Sequence, residues 1–230
     1  MLFQGWPVQF LFNEAAGEES LKLRGEEYKY LFKVRRHNID DVLYFRTRDQ
    51  SENLHGYKVI SLDGRSALLE HISSEVREVK SEKDLHIAWC VIDPKSVEKV
   101  LPSLNEMGVA KISFIYCARS QKNFKIDFAR YERILETSSQ QCGRSKQIEL
   151  SSFKTLDSFL DENPETVVLD FCDEVLHCEN RVSTVLIGCE GGFSDEERAK
   201  IEGLKRFRLD TPMILRSESA AMAIASKVLI

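Results

Sequence analysis

From Leu85 to the end of the chain, unbroken apolar segments alternate with segments of helical character, and few architectures accept that rhythm. A strand with no polar alternation is buried on both faces, so helices must cover the sheet on either side. The expected strands are Leu85–Ile92, Lys111–Tyr116, Thr166–Asp170, Thr184–Gly188 and a short one near Phe207–Leu209. Between them, Asp93-Pro94 opens a helix with proline at its favoured first position, Pro102 is expected to kink it, and Met107-Gly108 ends it. Further helices are expected over Phe124–Gln141, Ser152–Glu162, Ser194–Gly203 and Ser217–Leu229. The prediction is an α/β domain built on a parallel sheet, spanning residues 85–230.

The first third reads differently. Val8–Phe12, Asp41–Arg46, Leu54–Leu62 and Ala67–Ser74 are short strands, with Asp63-Gly64 as a turn between two of them. Arg24–Arg36 interrupts them as a helix whose Tyr28, Leu31 and Phe32 share one face. This predicts a small β-barrel over residues 1–74, followed by a charged linker at 75–84. Leu2-Phe3-Gln4-Gly5 resembles the remnant of a protease-cleavage tag, so about the first seven residues are set aside.

With 30% charged residues and no apolar run near the ~20 that a membrane span requires, a soluble protein is expected. No secretory signal is recognised at the start. Six scattered cysteines without a C-x-x-C pair read as reduced thiols in the cytoplasm. Cys172, His177 and Cys178 lack a second pair to complete a tetrahedral set, so no metal is expected.

The segment Leu186–Ser194 carries the chemistry. Gly188, Gly191 and Gly192 follow an apolar strand, and Ser194 with Glu197 forms a capping box that opens the next helix. A second apolar-to-polar switch lies at Met213–Ala220, so two loops of one domain point to a ligand pocket made of backbone. A phosphate-binding Walker loop would need a lysine after the glycines, where Phe193 stands. A dinucleotide fingerprint would follow the first strand of the domain rather than a late one. None of the five histidines accompanies a nucleophile motif.

Net charge is −5, yet basic residues cluster. Lys29, Lys33, Arg35, Arg36, Arg46 and Arg48 face only Asp40 and Asp41, with Tyr28, Tyr30 and Phe32 interleaved. A second stretch holds Lys111, Arg119, Lys122, Lys125, Arg130, Arg133, Arg144 and Lys146 against Asp127, Glu132 and Glu136. Such local excess can bind phosphates, or it can be an ordinary solvated face.

Five collinear segments resemble one family. LIGCEGGFSDEE is similar to the L-I-G-P-E-G-G-x-S-x-x-E motif of RsmE-type ribosomal RNA methyltransferases of the SPOUT superfamily. MILRSESA (Met213–Ala220) resembles R-x-L-R-x-E-T-A, Gln140–Arg144 resembles E-Q-C-x-R, Asn105–Val109 resembles x-E-L-G-V, and KYLFKVRR (Lys29–Arg36) resembles the N-terminal motif ending in V-L-R. The resemblance implies a PUA-like β-barrel followed by an α/β domain with a deep trefoil knot and parallel sheet. It also implies a homodimer with the cofactor pocket near the subunit interface. The implied reaction is methyl transfer from S-adenosyl-L-methionine to uridine N3 of 16S rRNA in the small ribosomal subunit.

Carried over residue by residue, the resemblance assigns cofactor binding to Gly188, Glu190, Gly191, Gly192, Leu209, Leu215, Ser217 and Ala220. Arg216 and Glu218 become the chemical residues. A carboxylate could take the N3 proton and a guanidinium could stabilise carbonyl charge. Glu218 could equally serve the N-terminus of the last helix. RNA contact falls to Lys29, Lys33, Arg35, Arg36, Arg119 and Arg144, with uridine positioning also open to the last two and a buried structural salt bridge as their alternative. Departures are Cys189 for proline, Thr211 for glycine, Met213 for arginine, Ser219 for threonine, Gln140 for glutamate and Ser103 where lysine is common. They leave room for a knotted enzyme acting on another nucleotide, or for a non-catalytic RNA-binding assembly factor.

Overall fold

The structure, a computed structural model, describes residues 9–120 and 123–230. The tag-like start, Val8 of the first expected strand, and Lys122 lie outside the described residues. The chain separates into two compact units: residues up to 80 together with 139–146, and residues 81–138 with 147–230.

In the first unit, five strands form one sheet in the order β1-β3-β4-β5-β2. They are β1 Leu11–Phe12, β2 Ser20–Arg24, β3 Val42–Arg46, β4 Asn53–Leu62 and β5 Ser66–Val76. All neighbours are antiparallel except β1 with β3. The sequence reading passed over β2, whose Ser-Leu-Lys-Leu-Arg alternation buries only Leu21 and Leu23. The expected helix is a single turn, α1 (Gly25–Tyr28), that widens into π-helix over Lys29–Val34, with the Arg35 N–H reaching the Tyr30 carbonyl. Its Tyr28, Leu31 and Phe32 pack onto the buried face of the sheet with Leu23, Phe45, Tyr57, Val59 and Leu69.

The second unit carries a six-stranded, wholly parallel sheet. Its strands are β6 His86–Cys90, β7 Lys111–Ile115, β8 Glu149–Phe153, β9 Val167–Leu169, β10 Thr184–Ile187 and β11 Arg206–Phe207, in the order β11-β9-β10-β6-β7-β8. The helices are α2 Pro94–Met107, α3 Phe128–Cys142, α4 Leu156–Glu162, α5 Asp195–Ile201 and α6 Ser217–Leu229. The last turn of α3 groups with the first unit. β6 lies at the sheet centre with Ile87, Ala88, Trp89 and Cys90 all buried, which is why its sequence shows no polar alternation.

Helix ends follow their local chemistry. Asp93 caps α2 ahead of Pro94, the helix continues past Pro102, and Gly108 closes it in the left-handed region at φ 98°. The helix expected from Phe124 begins at Phe128, and residues 152–162 are not a single helix. Glu149–Phe153 pairs with β7 as an edge strand, and the helix starts only after Thr155, whose hydroxyl accepts from the Ser158 N–H at 3.1 Å. Pairing across the sheet, invisible to local periodicity, takes these residues. The result is a polar ladder across three strands, with Ser113 Oγ 2.7 Å from both His86 Nε2 and Ser151 Oγ. Burial, reinforced by the Lys111 charge, holds the His86 imidazole down at a pKa of about 4.

Candidate active site

The strands β9, β10 and β11 are neighbours, and the segments leaving their carboxyl ends enclose a cavity of about 470 Å³. That volume lies within the ~300–1,000 Å³ common for small-molecule sites, and the carboxyl edge of a parallel sheet is where such sites form. Leu169–Phe171 after β9, Ile187–Phe193 after β10, Arg198 of α5, and residues between Arg208 and Ala220 around the start of α6 line it.

The glycine loop is held from several sides. Gly192 sits in the left-handed region at φ 64°, and its N–H closes a turn onto the Cys189 carbonyl at 2.9 Å. At Gly191 an added Cβ would stand 3.2 Å from Arg119 Cβ, so a side chain there would require Arg119 to give way by a few tenths of an ångström. Arg119 Nη1 also donates to the Gly191 carbonyl at 2.8 Å. The capping box is present: the Ser194 hydroxyl accepts from the Glu197 N–H, and Glu197 Oε2 accepts from the Ser194 N–H at 2.9 Å. Buried Glu197 also accepts the Ala118 N–H at 2.7 Å, which ties the chain after β7 to α5.

A clasp joins the two loops. The buried Ser217 hydroxyl donates to the Gly188 carbonyl at 2.6 Å and accepts from Trp89 Nε1–H at 2.8 Å. The first residue of α6 is thereby fixed to the glycine loop and to the central strand β6. Its side chain is committed to this clasp, so Ser217 can meet a ligand only from the remaining face of the residue.

All eight residues named for the cofactor, Gly188, Glu190, Gly191, Gly192, Leu209, Leu215, Ser217 and Ala220, line this one cavity. Arg216 lines it too, exposed, and its guanidinium takes no hydrogen bond or ion pair among the described residues. Glu218 is different. It is absent from the lining, and its Oε2 is buried with no hydrogen-bond partner among the described residues. It stands in the first turn of α6, where negative charge is favoured.

Residues named for RNA divide. Lys29 pairs with Glu26 at 2.7 Å, Lys33 lies over the Tyr28 ring, and Arg35 both stacks on Tyr30 and donates to its hydroxyl at 3.0 Å. With exposed Arg36 they form a cationic surface on the first unit. Arg46 does not join it: the side chain is buried, donates to the Ser51 carbonyl, and burial lowers its pKa to about 10. Arg144 is a correction of the same kind. It is only 6% exposed, its Nε donates to the Lys146 carbonyl, and desolvation pulls its pKa down to about 10. A guanidinium enclosed by protein cannot neutralise a phosphate. Arg119, exposed, is engaged with the glycine loop. In the second basic stretch Arg130 grips Glu98 through two hydrogen bonds and Lys111 pairs with Glu149.

Sequence reasoning missed Asp170, Phe171, Arg198 and Arg208, which also line the cavity. Asp170 carried a readable signal, since it closes a parallel strand and such ends face the site. Arg198 carried none, because its place depends on how α5 packs.

No helix among the described residues is long and apolar enough to cross a membrane, and no group of three or more of their metal-binding side chains is placed to hold an ion. All six cysteines are free thiols.

Residues 79–229 match a family model described as an RNA methyltransferase domain. Two curated relatives, both ribosomal RNA small subunit methyltransferase E from strains of Helicobacter pylori, are 37% and 36% identical over 95% of this chain and 98% of their own. A Legionella pneumophila methyltransferase solved with the bound cofactor SAM shares the fold at a TM-score of 0.74, with 24% identity over 95% of this chain and 94% of its own. A Neisseria gonorrhoeae small subunit methyltransferase E bound to S-adenosyl methionine has the same score, with 16% identity over 96% of both chains. Fold, motif order and full-length similarity agree, and the chain belongs to the RNA methyltransferase family, among the ribosomal RNA small subunit methyltransferase E proteins.

Proposed function

We propose that this protein methylates N3 of a uridine in the 16S rRNA of the small ribosomal subunit, with S-adenosyl-L-methionine as the methyl donor. The observation that carries this reading is the convergence of two loops, far apart in sequence, on one cavity at the carboxyl ends of β9, β10 and β11. The residues present suit the donor. Leu169, Ile187 and Leu209 offer an apolar wall for a heteroaromatic ring, and the glycine loop lets main chain approach it. When bound, the donor supplies a methyl group made electrophilic by its sulfonium.

The chain's own residues supply the rest. Uracil N3 carries a proton at neutral pH, so the base must lose it and gain negative charge on its flanking carbonyls. Unpaired Arg216 at the cavity is suited to stabilising that charge. Asp170 is already committed to Arg198 and to the Phe171 N–H, which leaves Glu190, exposed on the lining, to take the proton. Glu218 serves the start of α6. The cationic surface of Lys29, Lys33, Arg35 and Arg36 holds the RNA backbone.

The same reading includes a PUA-like closure of the first unit, a trefoil knot around the cavity, a homodimer and a cytoplasmic location. The knot is part of this reading through the family resemblance of the motifs at Leu186–Glu197 and Met213–Ala220. The dimer is supported by apolar side chains left exposed at the cavity rim, with Phe171 at 79%, Met213 at 69% and Ile214 at 82%.

The test is calorimetry with S-adenosyl-L-methionine, followed by methyl transfer to small subunits lacking the modification and analysis of the released nucleosides. Binding together with N3-methyluridine is expected, and Arg216→Ala should retain binding while losing transfer. Binding without transfer would make the protein an assembly factor. A different methylated nucleoside would move it to another member of the superfamily.

A further inference from the structure

The cavity wall holds one ion pair that the reaction above does not use. Asp170 ends β9 with its side chain only 9% exposed, and both carboxylate oxygens are occupied. Oδ1 accepts from the Phe171 N–H at 2.9 Å, and Oδ2 accepts from Arg198 Nη1 at 2.9 Å. The Asp170 N–H is itself fixed to the Phe207 carbonyl at 3.0 Å. Arg198 reaches in from α5 with its side chain 46% exposed, and Nε and Nη2 have no hydrogen-bond partner among the described residues. Nη2 overhangs the glycine loop, 3.8 Å from where a Cβ on Gly192 would stand. The cavity therefore has one wall with an anion and a cation in contact, the cation retaining unused donors.

Opposite charges held side by side complement a ligand that is itself a small zwitterion. The two groups neutralise one another while the cavity is empty, which lowers the cost of keeping them there. Arg208 is no substitute, since its guanidinium turns to the Leu209 carbonyl at 3.2 Å. We propose that Asp170 and Arg198 form the receptor for the amino-acid end of the methyl donor, Arg198 binding the α-carboxylate and Asp170 the α-ammonium. This rests on the cavity being the donor site, and it assigns the polar end of the ligand to residues outside both glycine-loop and α6 motifs.

Calorimetry on the full chain with two ligands separates the possibilities. S-adenosylhomocysteine carries the amino-acid end, whereas 5′-methylthioadenosine has the same nucleoside without it. Wild type should bind S-adenosylhomocysteine more tightly. Arg198→Gln and Asp170→Asn should each weaken it by roughly 10- to 100-fold, the range for a charged hydrogen bond, and leave 5′-methylthioadenosine within about twofold. Equal weakening of both ligands would overturn the proposal and make the pair a tie between β9 and α5. Unchanged affinity for both would overturn it as well. Wild type binding neither ligand would remove the donor site itself, an outcome distinct from failure of the pair alone. Arg198, on the surface of a short helix, gives a variant expected to fold even if Asp170→Asn does not.

Discussion

Replacing Ser217 with alanine tests how the two cavity loops are held together. The change deletes one hydroxyl and strands two groups, the Trp89 Nε1–H and the Gly188 carbonyl. Trp89 is fully buried at the centre of the sheet, and the Ser217 hydroxyl is the acceptor its N–H uses among the described residues. Gly188 lines the cavity, where water can reach its carbonyl, so its share is smaller. A buried polar group left unpaired costs about 1–3 kcal/mol, which puts the variant about 2–4 kcal/mol below wild type. For a chain of this size that lowers the unfolding midpoint by roughly 4–16 °C. The Gly188 loop also loses its anchor to α6, so affinity for S-adenosyl-L-methionine should fall about tenfold. Urea unfolding followed by tryptophan fluorescence gives the first quantity and calorimetry the second. Two controls sharpen the result. Ser217→Thr keeps the hydroxyl and should restore both. Trp89→Phe removes the donor but keeps the Ser217–Gly188 bond, so it should cost stability while sparing the cofactor. In that background Ser217→Ala should cost less than in wild type. If Ser217→Ala stays within about 0.5 kcal/mol of wild type, the level of an ordinary surface change, with cofactor affinity unaltered, the clasp is irrelevant and the reasoning fails.

Gly192→Ala places a side chain at φ 64° and should cost about 1–2 kcal/mol, with weaker cofactor binding seen by calorimetry; an unaffected loop would mean the positive φ is not required. His86, with its pKa held near 4 against an ordinary ~6.5, stays neutral in the folded state while the unfolded chain takes up a proton. Its contribution is complete above about pH 6.5 and is lost as pH falls toward 4, so unfolding free energy should decline across that window and His86→Gln should flatten the decline. Lys33→Ala and Arg36→Ala should each reduce the salt dependence of small-subunit binding by about one unit of slope. Arg144→Ala should lower the unfolding midpoint and leave that slope intact; a reduced slope would return Arg144 to the RNA surface.

Much of this protein was legible without coordinates because its signals are local. Apolar runs such as His86–Cys90, the capping box at Ser194 and Glu197, the Pro94 start and Gly108 stop of α2, and the bounds of α6 are each set by a few adjacent residues. The eight cavity residues were nameable because a resemblance preserved their order along the chain. What only tertiary structure decided has a common cause, which is contact between segments distant in sequence. Glu149–Phe153 became a strand because β7 offered an unpaired edge. Arg46, counted with a basic stretch, and Arg144, given RNA contact or a buried structural role, are both buried, and a charge count along the chain carries no information about depth. Glu218 and Arg216 stand two residues apart, yet the turn into α6 sends one to the cavity and leaves the other outside its lining. Asp170 met Arg198 across 28 positions, and Ser217 met Trp89 across 128. Periodicity and capping act within a turn or a strand, and so the sequence alone determined the elements and their order. Hydrogen bonds and charge pairs that close a cavity depend on where the sheet brings those elements, and only folding specifies that.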